Sequence, residues 1–505
     1  MKVIQFTAAV VLGMACSFVS ADVKVASVFT DHMVLQRDKG INVWGMADAG
    51  KKVMVKVGED EESTKADKEG KWMVKLGKRK ASETPVEMKV SEEGGNSETI
   101  SDVLVGDVWV CSGQSNMEFP LSRAANATEA IAGATDEKIR LLLVPKKVSD
   151  TPLMEQAGKW EVCSPETVKR FTAVGYFFAK ELREKEHVPV GLVGTYWGGT
   201  VCEAWTPDED LKDAQWKPLW DRDKKQVEEY TTVHAKYEED LKAWKAKPEA
   251  ERGKKPVDGR GENNPNRPGV LWNGMVAPLV PMSISGAIWY QGEANTARAE
   301  QYRSIFPNMI EGWRDEFKQK APFFFVQLAN YGSRIDSAAG SPWAELREAQ
   351  AMTLKLPKTG MAVTIDIGNP ANIHPTDKET VGKRLAKAAE AVAYGRDVAY
   401  EGPTYKSMKV DGNKAIVKFA HAKGLMTKGG EVKGFMIAGE DKKFVPAEAK
   451  LDGETVIVTA ASVEKPVAVR YAWADAPESS LYNAADLPGV PFRTDNWPMA
   501  TAGKK

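Results

Sequence analysis

Cysteine is scarce in this 505-residue chain, with four in all. One of them, Cys16, lies in an apolar N-terminal stretch, which leaves Cys111, Cys163 and Cys202 for the rest of the chain. Three is an odd number and excludes a complete disulfide framework, which a chain of this length does not need to bury a core. Spacing alone does not decide whether Cys163 and Cys202 pair. Histidine is equally sparse at five residues, and no His/Cys group has metal-ligand spacing, so no metal and no other cofactor is called for. An excess of one charge is also missing: 69 Lys+Arg face 70 Asp+Glu, a formal net charge of −1. No long block of one sign stands out, so neither nucleic acid nor an anionic membrane is indicated as a partner. Past the N-terminus no apolar run is long enough to span a bilayer. Nothing in the sequence speaks to oligomeric state.

What is present begins with a leader. Met1-Lys2 supplies a basic start, residues 6–19 are apolar apart from small or polar interruptions, and Val19-Ser20-Ala21 offers small residues for cleavage before Asp22. Residues 1–21 therefore read as a signal peptide, implying a secreted or periplasmic protein. Gly13 stands where a lipobox carries leucine, which argues against lipid attachment at Cys16. Residues 22–100 give short alternating runs between charged turns, a β-sandwich-like module that serves as structural support or binds sugar. From 101 to 398 strands alternate with helices, the signature of an α/β domain with a mostly parallel sheet. Strands are expected over 188–194, 284–290, 322–328 and 361–365, and helices over 307–317 and 343–354. Residues 207–268 interrupt this rhythm with a charged helical stretch and then a Pro/Gly/Asn-rich loop. This insertion is either a wall of the cleft or a solvated helical pair. Residues 399–505 form a second β-rich module.

Ser115 follows the apolar run Val103-Leu104-Val105-Gly106-Asp107-Val108-Trp109-Val110-Cys111-Ser112 through Gly113-Gln114. A serine delivered there lies at the carboxyl edge of a sheet, where open α/β folds carry their chemistry, and near backbone N–H groups able to steady an oxyanion. An isolated G-x-S is only a turn, so its meaning rests on its company. A serine nucleophile needs a base, and elimination among five histidines selects one. His234 falls in the insertion, His32 and His421 in the β modules, and His187 at the amino end of a strand. His374 follows the 361–365 strand by a short Gly/Pro-containing loop, on the edge that carries Ser115. Thr376-Asp377-Lys378-Glu379 matches the T-x-x-E capping box and Val381, Leu385, Ala389 and Val392 follow at helical spacing, so His374 should immediately precede a helix. Asp377 then falls in the first turn, where a carboxylate mostly serves the helix dipole.

Two more loops follow strands on the same edge. Tyr196-Trp197-Gly198-Gly199-Thr200 lets a glycine N–H approach a substrate oxygen, and Gln291-Gly292-Glu293-Ala294-Asn295 can aim a carboxamide there. A nucleophile, a base and two oxyanion donors converging on one edge suggest acyl transfer. Tyr196, Trp197, Trp205 and Trp272 are candidates for stacking on sugar rings, although tryptophan in such numbers is commonly core.

Gly113-Gln114-Ser115-Asn116-Met117, Trp197-Gly198-Gly199-Thr200 with Glu203-Ala204-Trp205, Trp289-Tyr290-Gln291-Gly292-Glu293-Ala294-Asn295, Leu346-Arg347-Glu348-Ala349-Gln350 and Ile373-His374-Pro375 occur in that order. The pattern resembles the sialate O-acetylesterase family of SGNH hydrolases over nearly the whole chain after the leader. The resemblance implies an α/β SGNH-type sheet and a cofactor-free carbohydrate O-acetylesterase acting on sialic acids such as 9-O-acetyl sialate. It implies Ser115 as nucleophile, His374 as base, Gly199 (or Gly198) and Asn295 as oxyanion donors, and Gln114 and Glu293 as loop supports or substrate contacts. Related SGNH enzymes deacetylate xylan and other glycans, so those substrates stay open. One departure matters: Asn372-Ile373-His374-Pro375 carries an amide where the family has the acid of D-I-H-P, and Ala371 occupies the position three before His374. In a Ser-His-Asp triad the amide costs about 10⁴ in turnover. Three arrangements follow: a Ser115–His374 dyad with a backbone carbonyl holding the ring, recruitment of Asp366 or Glu293, or an impaired site. The last would leave a secreted carbohydrate-binding protein with a degenerate esterase site.

Overall fold

A computed structural model describes residues 22–258, 261–333 and 340–505; the expected leader 1–21 lies outside the described residues. The N-terminal strands follow from their alternation. Lys71–Leu76 exposes and buries successive residues, turning Trp72, Val74 and Leu76 inward, as a strand wet on one face must. It pairs with Ile41–Met46, which pairs in turn with Lys24–Val25. Lys52–Val57, Asp60–Lys65 and Ser82–Glu92 belong to a second sheet, and Val43 and Val74 share one core with Val53, Val55 and Val90.

No break occurs at the boundary expected after residue 100. Ser97–Gly113 is one strand of 17 residues. Its first part pairs antiparallel with Ser82–Glu92, and its last part lies between two parallel strands of the α/β sheet. The burial pattern records the change: exposed residues occur only in the first half, and from Val103 to Gly113 every residue is buried. A strand covered on both faces has to be a continuous apolar run.

The α/β sheet runs in the order Trp160–Cys163, Asp136–Leu143, Val190–Tyr196, Ser97–Gly113, Gly286–Tyr290, Phe323–Val326, Thr359–Ala362. All neighbours are parallel except the antiparallel edge strand Trp160–Cys163. Helices Ala173–Glu186 and Lys378–Val392 cover the face bearing Trp109 and Cys111. Ala299–Glu316 and Pro342–Met352 cover the face bearing Val108 and Val110. Ser97–Gly113 is the first strand of this sheet in chain order and sits mid-sheet, so the chain leaves it to one side and later returns to the other. The crevice at that switch point is where such sheets bind ligands.

Several expectations are corrected in detail. The strands expected over 188–194 and 361–365 are Val190–Tyr196 and Thr359–Ala362. The helix expected to start at Pro307 begins at Ala299 and carries Pro307 inside. A proline within a helix costs about 3 kcal/mol, but Tyr302, Ile305 and Phe306 extend the buried stripe, and each buried side chain contributes roughly 1.5–3 kcal/mol. The insertion contains the 30-residue helix Lys217–Ala246, which buries only Leu219 and Leu241.

The C-terminal region forms two four-stranded sheets, Thr404–Asp411, Lys414–Ala420, Thr455–Thr459, Glu448–Asp452 and Val445–Pro446, Phe435–Ala438, Ala468–Tyr471, Phe492–Arg493. Helix Pro342–Met352 holds this region: Arg347 donates to the carbonyls of Ala474 (2.7 Å) and Asp475 (2.8 Å), and Glu345 accepts from the amides of Ala500 and Thr501.

Cys163 and Cys202 do not pair. Both are free, buried thiols like Cys111; Cys163 donates to the Ala134 carbonyl, and Cys202 lies 3.7 Å from the Met309 sulfur. Thiol titration of chain 22–505 without reductant should therefore find no fast-reacting thiol in the folded protein and three after denaturation. A value of one after denaturation would mean that two of them are joined.

Candidate active site

Gly113 ends the central strand at φ +130°, and a Cβ there would lie 2.3 Å from the Tyr290 carbonyl oxygen. Only glycine allows the chain to turn this close to its neighbour. The buried Gln114 then fastens the turn to the next loop: its N–H donates to the Tyr290 carbonyl (3.0 Å), and its Oε1 accepts from the amides of Gly292 (3.4 Å) and Ala294 (3.3 Å). Ser115 opens the short helix Ser115–Glu118. The amides of Met117 and Glu118 both bond the Gln114 carbonyl, while the Ser115 amide has no acceptor among the described residues.

His374 arrives from the loop between Thr359–Ala362 and Lys378–Val392, with Nε2 2.8 Å from Ser115 Oγ. Asn372 is not on the ring: its Oδ1 accepts from the backbone N–H of His374 at 2.9 Å. Neither carboxylate considered as a substitute acid reaches the imidazole. Both oxygens of Asp366 are held by Arg384 at 2.7 Å, with the Tyr482 hydroxyl 3.2 Å from one of them. Glu293 accepts from Asn116 at 2.6 Å. Among the described residues no side-chain carboxylate hydrogen-bonds His374. Burial, Lys378 and Arg123, in that order, hold the imidazole pKa below the ordinary histidine value.

The helix after His374 is capped by Asp377, not by the expected Thr376. Asp377 accepts from the Thr380 amide (3.0 Å) and hydroxyl (2.8 Å). A carboxylate at the cap satisfies an otherwise unpaired N–H and complements the helix dipole, which outdoes the threonine.

The two candidate oxyanion loops stand differently. Trp197 donates to the Gly113 carbonyl (3.0 Å), which sets the 197–199 turn beside Ser115, and a Cβ on Gly198 would lie 3.2 Å from that of Ser115. The Gly198 amide is taken by Glu118 at 2.6 Å. Gly199, at φ +77°, is exposed and its amide has no acceptor among the described residues. Asn295 is buried: its Oδ1 accepts from the Cys202 amide (2.9 Å) and Gln291 (2.7 Å), and its Nδ2 donates to Glu203 (2.9 Å). One carboxamide hydrogen of Asn295 is left for another acceptor.

A cavity of about 770 Å³ opens beside Ser115 and His374, lined by Phe119, Leu143, Val144, Tyr196, Arg123 and Lys146 among others. Arg298 is bound to Glu203 (2.5 Å) and Arg347 is wholly buried on backbone carbonyls, its pKa lowered to about 9 by that burial, so neither is offered to a sugar carboxylate. Arg123 lines the cleft over the Phe119 ring (4.8 Å) and has no carboxylate partner among the described residues. Trp205 and Trp272 are buried and neither lines this cleft, Trp272 bordering a separate cavity with Trp44 and Trp72; Tyr196 lines the cleft. No described residue of the 207–268 insertion lines this cavity. The insertion reaches the site indirectly, through Arg222 on the buried Glu203 that also holds Asn295 and Arg298.

Asn116, Glu118 and Lys378 were not singled out from the sequence. Asn116 stands beside Ser115 in the motif, which is a signal the sequence carries. Lys378 lies in the first turn of a helix, where a charge ordinarily reads as solvated, and nothing local marks it as buried.

The model of a family described as carbohydrate esterase, sialic acid-specific acetylesterase, matches residues 105–236 and 270–391. The unmatched segment between them falls in the insertion. The sialate O-acetylesterase of Mus musculus is 30% identical over 521 residues, covering 93% of this chain and 94% of that protein. That of Homo sapiens is 29% identical over 517 residues, covering 93% and 92%. Among solved structures, the crystal structure of a carbohydrate acetylesterase from Xanthomonas citri matches with a TM-score of 0.82 at 40% identity, covering 94% of this chain and 100% of that one.

Gly113→Ala places a methyl group against the Tyr290 carbonyl at a backbone angle unsuited to alanine. It should lower stability by about 2 kcal/mol or more and reduce ester hydrolysis at least tenfold, read by thermal melting and by acetate release.

Proposed function

Because this chain belongs to the sialic acid-specific acetylesterase family of carbohydrate esterases and is a carboxylic-ester hydrolase, we propose that it removes the 9-O-acetyl group of sialic acids through Ser115 and His374. The observation that carries this reading is the 2.8 Å contact between Ser115 Oγ and His374 Nε2 at the mouth of the cleft. His374 accepts the Ser115 proton as Oγ attacks the acetyl carbonyl carbon. The tetrahedral oxyanion is met by the amides of Ser115 and Gly199 and by the remaining carboxamide hydrogen of Asn295, each such donor worth about 3–4 kcal/mol. The C–O bond to the sugar breaks, and His374 returns the proton to the leaving oxygen. Water, activated by the same imidazole, then releases acetate from acetyl-Ser115.

Gln114 and Glu293 support the reaction from behind, Gln114 by tying the two loops and Glu293 by holding Asn116. Arg123 is the cation we assign to the sialate carboxylate, since it faces the cleft without an acidic partner. An acetylated neutral glycan such as xylan is the second reading, favoured by the apolar Phe119, Leu143 and Val144 in the same cleft. Secretion or a periplasmic location, with cleavage before Asp22, belongs to the proposal and is checked by N-terminal sequencing of the exported protein.

Ser115→Ala should abolish acetate release from 9-O-acetyl sialate while leaving the melting temperature in place; full activity in that variant would sink the assignment. Arg123→Leu should raise KM for 9-O-acetyl sialate about tenfold and leave acetylated xylo-oligosaccharides unaffected, whereas equal effects on both would favour the neutral glycan. Asn372→Asp should alter kcat less than about threefold, because Asp can make the same bond to the His374 amide and does not reach the ring.

A further inference from the structure

Directly behind the Ser115–His374 pair lies a buried charge that the reaction as described leaves unused. The side chain of Lys378 is fully enclosed, although it belongs to the first turn of a surface-starting helix. Its ammonium stands over two rings, Phe119 at 4.9 Å and Tyr290 at 5.0 Å, and donates to Asn116 Oδ1 at 2.5 Å. The other end of the Asn116 carboxamide donates to Glu293 at 2.6 Å and to the Ile373 carbonyl at 3.0 Å. Asn116 follows the nucleophile and Ile373 precedes the base, so one carboxamide joins both catalytic loops to a lysine and a carboxylate. Phe119 is shared as well: the His374 ring lies 6.5 Å from it, centroid to centroid.

We infer that the buried ammonium of Lys378 is a positioning charge for His374: held by the Asn116 bridge, it opposes protonation of the imidazole and keeps that ring in the base-competent form into mildly acidic solution. The inference rests on the Ser115–His374 reading above. In a Ser-His-Asp triad the carboxylate favours the imidazolium; here a cation occupies the neighbourhood and no carboxylate among the described residues hydrogen-bonds the ring.

The charged and titratable groups facing the pair are few. Glu293 shares Asn116 with Lys378 and attracts its charge directly, while burial raises the Glu293 carboxyl pKa. Asp377 is turned to its own helix, Arg123 over the Phe119 ring is a second cation that opposes protonation of His374, Glu118 is paired with Lys146, and Lys169 and Arg170 of the same cleft are paired with Glu166 and Glu161. Tyr290 presents its ring to Lys378 and its hydroxyl pKa is raised by burial. Burial lowers the Lys378 pKa to about 7, so the lysine carries its charge through the acidic range in which His374 loses its proton. The sign follows: removing the charge raises the His374 pKa and protonates more of the base in acid, so the acidic limb moves to higher pH whatever the height of the plateau.

The test is the pH dependence of kcat/KM for 4-nitrophenyl acetate with the full chain and Lys378→Met. At about pH 5.5 the variant should be about threefold or more slower relative to its own alkaline plateau than the unmodified protein is to its own. An equal loss at every pH, or an unchanged acidic limb, would overturn the inference, since a merely structural lysine moves the plateau and not the midpoint. A second measurement does not depend on turnover. In Ser115→Ala, the ring resonances of the five histidines, with His374 assigned by its loss in the added His374→Gln, should show His374 titrating lower than in Ser115→Ala/Lys378→Met. The same midpoint in both proteins would overturn the role of Lys378. Undiminished hydrolysis by Ser115→Ala would instead remove the catalytic pair on which it rests.

Discussion

The strand Ser97–Gly113 ends against the carbonyl of Tyr290 with no space for a side chain, and the site is built around that stop. Its parallel neighbours Val190–Tyr196 and Gly286–Tyr290 run in register with it to the same edge, pairing Tyr196 and Tyr290 with Gly113. The loops that follow therefore emerge side by side, and backbone bonds lock them: Gln114 N–H to the Tyr290 carbonyl and Trp197 N–H to the Gly113 carbonyl. The serine is placed by main-chain geometry, which is stiffer than any side-chain contact. The same strand begins in the N-terminal sheet, so that module is continuous with the catalytic sheet through covalent chain and shared hydrogen bonding.

Around this edge the protein spends buried charge on orientation. Glu203 gathers Arg222, Arg298 and Asn295; the half-buried Glu118 holds the Gly198 amide and the exposed Lys146; Glu293, Asn116 and Lys378 link the loops that carry Ser115 and His374. Buried ion pairs add little net stability, because desolvation offsets their attraction. Losing one member is costly, however, and that asymmetry makes such networks rigid. Arg222 brings the exposed insertion helix into this arrangement without placing it in the cleft. Past the carboxyl end of strand Phe323–Val326, Arg347 and Glu345 do similar work, joining helix Pro342–Met352 to the C-terminal region.

An ester hydrolase with an amide where an acid is usual still has the elements that matter most for acyl transfer. A neutral imidazole can serve as a base without a carboxylate behind it, at the cost of weaker stabilisation once it is protonated. Lowering rather than raising the imidazole pKa trades basicity for availability in acid. Arg123 and Lys378 both contact the Phe119 ring, Arg123 from the cleft and Lys378 from the core.

The sequence by itself determined the class of fold, the family, and that Ser115 and His374 lie on one edge of the sheet, where they stand 2.8 Å apart. These rest on local signals: apolar runs of strand length, glycines at strand ends, and a count of histidines small enough for elimination. Domain limits were less legible, because a strand passing from a one-sided to a two-sided sheet leaves no turn at residue 100. Pro307 misled as a helix start since the burial of Tyr302 and Phe306 is a tertiary gain that no local propensity contains. Only the tertiary structure decided that Cys163 and Cys202 stay apart, that Asn372 serves a backbone amide, and that Lys378 is buried. Each depends on what lies opposite a side chain in space. Residues distant in the chain, such as Asn116 and Lys378, meet only when the sheet is assembled.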